Sequence, residues 1–298
     1  MPTSVTIRRP EGRIRTSVRL PRSKSVANRA LILASLAGDL RCVIDPGDAE
    51  DTLILQRLLT GRPEVMHCGS GGTTFRFVLA WACVQEGGEH LITGDARLLE
   101  RPHEPLIDAL RQLGADIERT EAGYRVRGRQ LHGGAITFDS PISSQFISAI
   151  LLIAPTFTQE LYLRWTGRRL SEPYVAMTLK MLAHFGIMPR QELDGVRIVP
   201  AMITVDPFTV PPDWSAAAFW YEIVALAGDA EVGLLGLEHD RLQGDQAVMK
   251  YMDPLVSSEK GPEGTELRGR AEPRLDSVRI DLTDTPDLFQ ALAFAYAM

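Results

Sequence analysis

The sequence predicts a mixed α/β (α+β) fold of two domains, assembled from copies of one βαβαββ unit. Segments rich in Val and Ile (RIRTSVRL, EHLITG, GAITFD, ELYLRWTG, VRIVP, SVRIDL) alternate with longer stretches of helical periodicity. Helical patterns begin near Thr73, Ser144, Ser215 and Pro286, each start 71 residues after the last. Two further segments, PLIDALRQLGADIERTEAGYRVRG and MTLKMLAHFGIMPRQELDGVRIVP, share one plan and sit 72 residues apart. In each, a helix ends at a Gly, a strand follows, a Gly-containing turn reverses the chain and a second strand leaves.

Along the chain, RIRTSVRL is the first strand, and the turn signal LPRS near Pro21 marks a crossing between domains. A long helix follows in SVANRALILASLAG. The GSGG turn leads into TTFRFVLAWAC, EHLITG is the next strand, and PLIDALRQLGA is a helix that stops at its Gly. GAITFD then feeds SQFISAILLIA, ELYLRWTG is a strand, and Pro173 suits the first turn of the helix after Ser171. The Pro-rich TVPPDW around Pro211 and Pro212 is the second crossing. One domain is therefore expected over residues 21–212, and the other from residues 1–20 with 213–298. VSSEKGPEGTELRGRAEPR reads only as a solvated surface excursion. PDLFQALAFAYAM is apolar almost all round, a pattern that needs cover on every side. Because the repeat breaks off early in its last unit, the second domain is expected to be incomplete at the C-terminus.

Composition excludes several classes. The 298 residues are 45% apolar and 23% charged, ordinary for a globular chain long enough for two cores. A formal charge of -6 argues against nucleic acid as partner, since affinity for a phosphate backbone rests on surplus Lys and Arg. Cys42, Cys68 and Cys83 fit neither a disulfide framework nor a zinc site, and His67, His103, His132, His184 and His239 show no ligand spacing. Neither a metal nor a cofactor is expected. The N-terminus lacks an apolar targeting core and no run is long enough for a membrane span, so a cytoplasmic monomer is the expectation.

The polar residues cluster at helix starts. Ser23, Lys24 and Ser25 place hydroxyls and backbone N–H groups at the positive end of a helix dipole, and Arg29 is close enough to add a bidentate contact. A plain N-cap beside a solvated Lys explains the same residues. In CGSGGTTFRF, glycines let backbone approach a ligand and Arg76 lies about one turn in, although no Walker A pattern is present. Arg101 stands before a Pro at another helix mouth, where a surface Arg is the alternative. Ser143, Ser144 and Gln145 open the next repeat's helix, which by repeat symmetry shares the end used by Gly72 and Thr73. Asp287 is a favourable first-turn charge and, near a substrate hydroxyl, a candidate general base.

Taken in order, PRSKSVANRA, GSGGTTFRF, ERPHEPLIDALRQLGA, SSQFISA, LSEPYVAMTLKMLAHFG, LQGDQA and TPDLFQALA resemble the successive signatures of the EPSP synthase (3-phosphoshikimate 1-carboxyvinyltransferase) family. The resemblance covers essentially the whole chain. It implies a two-domain, enolpyruvyl transferase-like inverted α/β barrel, with three βαβαββ units per domain and helix N-termini facing the cleft. It also implies transfer of the enolpyruvyl group from phosphoenolpyruvate to the 5-hydroxyl of shikimate 3-phosphate, with release of phosphate. On that basis Lys24, Ser25, Arg29, Ser143, Ser144, Gln145 and Ser171 would hold shikimate 3-phosphate. Lys24, Gly72, Arg101 and Gln145 would line the phosphoenolpyruvate site, and Asp287 would accept the hydroxyl proton and contact the sugar phosphate, with Lys24 as the other catalytic residue.

Three departures accompany the resemblance. Ser70 stands where the family commonly has the Asn of GNAGT, and Arg22 replaces the Gly of GSKS. The family's later Lys, Glu, Arg and His-Arg motifs are not among these 298 residues, so negligible synthase activity is expected of this chain alone. A non-catalytic shikimate 3-phosphate binder and UDP-N-acetylglucosamine enolpyruvyl transferase are the alternatives; the latter would need a reactive Cys in a mobile loop.

Overall fold

The structure, a computed structural model, describes residues 6, 12–141, 143–167, 171–239, 241–270 and 278–297. In chain order the elements are β1 (Arg15–Arg19), α1 (Lys24–Ala37), β2 (Val43–Ile44), α2 (Glu50–Gly61), β3 (Val65–His67), α3 (Gly72–Cys83), β4 (Glu89–Thr93), α4 (Ala96–Leu99) and α5 (Glu104–Gln112). They continue with β5 (Asp116–Thr120), β6 (Gly123–Arg127), β7 (Gly134–Asp139), α6 (Ser144–Ile153), β8 (Leu161–Thr166), α7 (Glu172–His184), β9 (Arg190–Glu192), β10 (Gly195–Ile198) and β11 (Phe208–Thr209). The last are α8 (Trp214–Ala227), β12 (Glu231–Leu235), α9 (Val248–Tyr251), β13 (Val256–Gly261), β14 (Gly264–Gly269) and α10 (Phe289–Ala297), which runs on from a 3-10 turn at Pro286–Leu288.

Two compact units result. One is nearly continuous, Pro21–Pro211 with Leu242–Gly244; the other is split, Met1–Leu20, Pro212–Arg241 and Asp245–Met298. The continuous unit carries two four-stranded sheets, β3-β4-β6-β5 and β7-β8-β10-β9, and the pair β11-β2. The split unit carries β1-β12-β14-β13. In all three large sheets the first two strands are parallel and the last two form an antiparallel hairpin. The βαβαββ unit is thus repeated, and helices begin at Gly72, Ser144, Trp214 and Pro286, close to the expected starts. In the third copy the first strand-to-helix connection, from β1 to α8, is interrupted by the whole continuous unit.

One glycine per hairpin explains why the copies are built alike. A Cβ at Gly123 would lie 2.2 Å from the carbonyl oxygen of Ile92, one at Gly195 2.2 Å from that of Leu163, and one at Gly264 2.1 Å from that of Leu234. Each opens the hairpin's second strand where it meets the neighbouring strand backbone, so no larger residue fits.

Inside the continuous unit α1, α3 and α6 pack on one another and are apolar nearly all round, as helices covered on every side must be. Trp81 of α3 is fully buried and donates Nε1–H to Ser35 Oγ of α1 at 3.1 Å, so its one polar atom is satisfied. In the split unit α8 packs on α10 with Trp214, Ala217, Tyr221, Ala291 and Leu292 inward. Phe219, Ile223, Leu226, Phe289 and Phe294 stay exposed on those helices, so α10 is covered on one side only among the described residues.

Two sequence expectations are corrected. VSSEKGPEGTELRG is the hairpin β13–β14 of the third repeat. Its pattern was muted because β13 is the edge strand, where Glu259 and Lys260 face solvent, and only Thr265 and Leu267 point inward from β14. SVRIDL forms no strand over its described residues 278–282, where no neighbouring strand accepts its ladder. Among the described residues no helix is long and apolar enough to cross a membrane, and no His, Cys, Asp and Glu group could hold a metal.

Candidate functional site

In the continuous unit the polar chemistry gathers where helices begin. Arg29, in the second turn of α1, is 1% exposed. Its Nε donates to Thr178 Oγ1 at 2.8 Å, Nη1 to the Ser25 carbonyl at 2.8 Å, and Nη2 to Ser148 Oγ and the Tyr174 carbonyl, both at 3.2 Å. Every acceptor is neutral. Burial pulls the guanidinium down to about 10, still a cation at neutral pH. A buried cation without a carboxylate is costly unless an anion arrives to share the space.

A second guanidinium lies close to the start of α3. Arg76 is 8% exposed, donates through Nη1 to Gln145 Oε1 of α6, and sits over the Phe146 ring at 5.0 Å. Its buried Nε has no partner among the described residues. Burial first, and the charge of Arg101 second, bring Arg76 down to about 10. Around Gly72 the three side chains converge: a Cβ there would lie 2.9 Å from Arg101 Nη1, 3.3 Å from Arg76 Nη1 and 3.8 Å from Gln145 Oε1. Neither Arg76 nor Arg101 has a carboxylate within ion-pair distance among the described residues.

These contacts align the helix ends. Gln145 at the start of α6 meets Arg76 near the start of α3, and Tyr174 in the first turn of α7 meets Arg29 of α1. Lys24, first residue of α1, reaches Asp51 Oδ2 at 3.0 Å, and Asp51 lies against Gly71, the residue that caps α3, where a Cβ would be 2.7 Å from its Oδ1. The N-termini of α1, α3, α6 and α7 therefore share one end of this unit. Each brings the partial positive charge of a helix N-terminus, so the end as a whole favours polyanions.

The split unit has its own polar cluster. Asp213 caps α8, accepting from Ser215 N at 3.0 Å, while Ser215 Oγ donates to Asp245 Oδ2 at 2.5 Å. Asp245 is 3% exposed and its Oδ1 has no partner among the described residues. Burial raises its carboxyl to about 6, the Ser215 hydrogen bond opposes that rise, and the charges of Asp287 and Asp213 add to it. Asp287 is exposed in the turn that leads into α10.

Comparison with known proteins places this arrangement. The sequence profile of EPSP synthase (3-phosphoshikimate 1-carboxyvinyltransferase) matches residues 55–298. The chain is 38% identical over 293 residues to a 3-phosphoshikimate 1-carboxyvinyltransferase of Bacteroides fragilis, covering 96% of this chain and 70% of that protein. The chain belongs to the EPSP synthase family. A 3-phosphoshikimate 1-carboxyvinyltransferase of Aliivibrio fischeri is 31% identical, with 96% of this chain and 74% of that protein covered. A solved EPSP synthase of Acinetobacter baumannii shares the fold at a TM-score of 0.73 and 21% identity, over 95% of this chain and 71% of that one.

The EPSP synthase resemblance read from seven short motifs is therefore borne out, and its named residues can be located. Gly72, Arg101 and Gln145 come together, as do Ser25 and Arg29. Ser143 caps α6 by accepting from Gln145 N at 3.2 Å, and Ser144 is buried behind it. Ser171 caps α7 in a left-handed conformation (φ 54°) without a side-chain capping bond, and its carbonyl accepts from Tyr174 N. Lys24 is half exposed on Asp51. Asp287 belongs to the split unit.

Sequence reasoning left Asp51, Ser148, Thr178 and Asp245 unassigned, and it noted Arg76 without giving it a place in the site. A lone Arg in the otherwise apolar FRFVLAWAC was the available signal for Arg76. Ser148 and Thr178 bond each other at 2.9 Å beneath Arg29, a pairing that spacing does not announce.

Proposed function

We infer that the site serves transfer of the enolpyruvyl group from phosphoenolpyruvate to the 5-hydroxyl of shikimate 3-phosphate, in the shikimate route to aromatic amino acids. The observation that carries the reading beyond family membership is the pair of buried guanidiniums, Arg29 and Arg76, without carboxylate partners among the described residues, at an end where four helices begin. Both substrates are polyanions, and fixed dipoles with buried cations bind such charge with little reorganisation.

In this reading Lys24, Ser25, Arg29, Ser143, Ser144, Gln145 and Ser171 hold shikimate 3-phosphate, and Gly72 and Arg101, with Lys24 and Gln145, receive phosphoenolpyruvate. The 5-hydroxyl oxygen bonds to C2 of the donor, its proton passes to Asp287, and a proton reaches the C3 methylene. In the second step the C2–O bond to phosphate breaks, the new methyl gives up a proton and inorganic phosphate leaves.

The cysteine-dependent alternative has little support. Cys42, Cys68 and Cys83 are all buried, and burial raises each thiol above its ordinary value, which disfavours the thiolate. Free buried thiols fit a reducing, cytoplasmic setting, and we take the active form to be a monomer.

Calorimetry tests the reading. Shikimate 3-phosphate should bind one to one, and phosphoenolpyruvate should bind more tightly in its presence. A chain that ignores shikimate 3-phosphate would sink the proposal. One that binds it but gains nothing from phosphoenolpyruvate is a binder without transferase function.

A further inference from the structure

We propose that Arg76 is a positioning residue of the substrate site, whose guanidinium fixes which end of the Gln145 carboxamide is offered to ligand; this rests on the functional reading above. A free carboxamide is ambivalent, since its oxygen accepts and its nitrogen donates, and only the donor end suits an anion. Arg76 Nη1 occupies Gln145 Oε1. The Nε2 hydrogens have no protein acceptor among the described residues, so they remain the group that Gln145 presents.

The guanidinium is itself well held. It is 8% exposed, its Cζ lies 5.0 Å from the Phe146 ring centroid, and it projects from the second turn of a helix buried nearly all round. Phe146 follows Gln145 directly, so one guanidinium contacts two successive residues of α6 and sets that helix start against Gly72. Arg101, exposed and aimed at the same Gly72, brings a second cation within reach of the first. An anion arriving there relieves the repulsion between the two. Arg101 is in direct reach of such a ligand, and Arg76 acts through Gln145.

A double-mutant cycle on the intact chain separates positioning from general support, read as the affinity for shikimate 3-phosphate by calorimetry. Arg76→Gln should weaken binding by at least tenfold, and Arg76→Lys, which can still donate one hydrogen to Oε1, should recover part of the loss. In a Gln145→Ala background the Arg76→Gln change should add less than twofold, because the amide it orients is gone. Equal losses in both backgrounds, or unchanged binding by Arg76→Gln in the wild-type background, overturn the inference. Circular dichroism melting checks folding; if Arg76→Gln does not fold, the same cycle run with Arg76→Lys decides by the same criterion. Failure of the wild type to bind shikimate 3-phosphate overturns the functional reading and this inference with it, whereas wild-type binding with an additive cycle overturns only the role of Arg76.

Discussion

Asp245 is the most strongly perturbed carboxyl among the described residues, and its environment makes a pH-dependent prediction. Burial holds it protonated up to about pH 6, against an ordinary value of 3.8. Between those values the folded chain keeps a proton that the unfolded chain has released. Its contribution to stability is therefore largest below about pH 4 and is lost as pH rises through 6. A rise of that size is equivalent to on the order of 2–3 kcal/mol. Asp245→Asn, which cannot ionise and can still accept from Ser215, should match the wild type near pH 4 and exceed it by roughly that amount at pH 7.5 in denaturant unfolding. A difference that stays constant across the range would rule out the buried ionisation. None of this was visible in LQGDQA, because the partners of Asp245 come from residues 213, 215 and 287. Lys24, Gly72, Ser144 and Gln145 were legible for the opposite reason: each stands at a helix start that Ser or Gly announces locally.

At the scale of elements, the hairpins carry the repeat. Gly123→Ala would press a methyl into the Ile92 carbonyl at 2.2 Å, a backbone group that cannot swing aside. Gly38→Ala, at the left-handed C-cap of α1, meets nothing within 4 Å and bears only the conformational penalty. Gly38→Ala should cost about 1 kcal/mol, while Gly123→Ala should cost ~3 kcal/mol or more and belong with strained or overpacked core changes. Thermal melts of the two variants side by side make the comparison, and equal losses would contradict it. The first two hairpins were readable because buried residues on their second strands alternate clearly, as in Tyr124 and Val126. The third carries charges along its exposed edge, and composition alone made it look like a loop.

At the scale of the molecule, the continuous unit is an insertion. Its two ends meet, with Ser23 N donating to the Pro211 carbonyl at 2.9 Å, and it holds its own core from Val26 to Val210. A chain of residues 21–211 should therefore fold by itself and bind shikimate 3-phosphate, because seven of the eight residues proposed to contact it, from Lys24 to Ser171 and all but Asp287, are inside. Circular dichroism and calorimetry on that piece would show it, and an unfolded product would mean that its stability depends on the rest of the chain. Pro21, Pro211 and Pro212 gave the crossings in sequence. That the insertion falls between β1 and α8 was not legible, since strand pairing across so long a gap leaves no local trace.

That long gap has a consequence in time. Arg13, just ahead of β1, bonds Glu231 at the head of β12, 218 residues further along. A ribosome adding 5–20 residues per second leaves the first strand waiting roughly 10–40 s for its neighbour. The inserted run is finished just before that wait ends, since Pro211 is made 20 residues, about 1–4 s, ahead of Glu231. Synthesis itself thus sets an order of assembly, in which the earliest residues made are among the last to find their place.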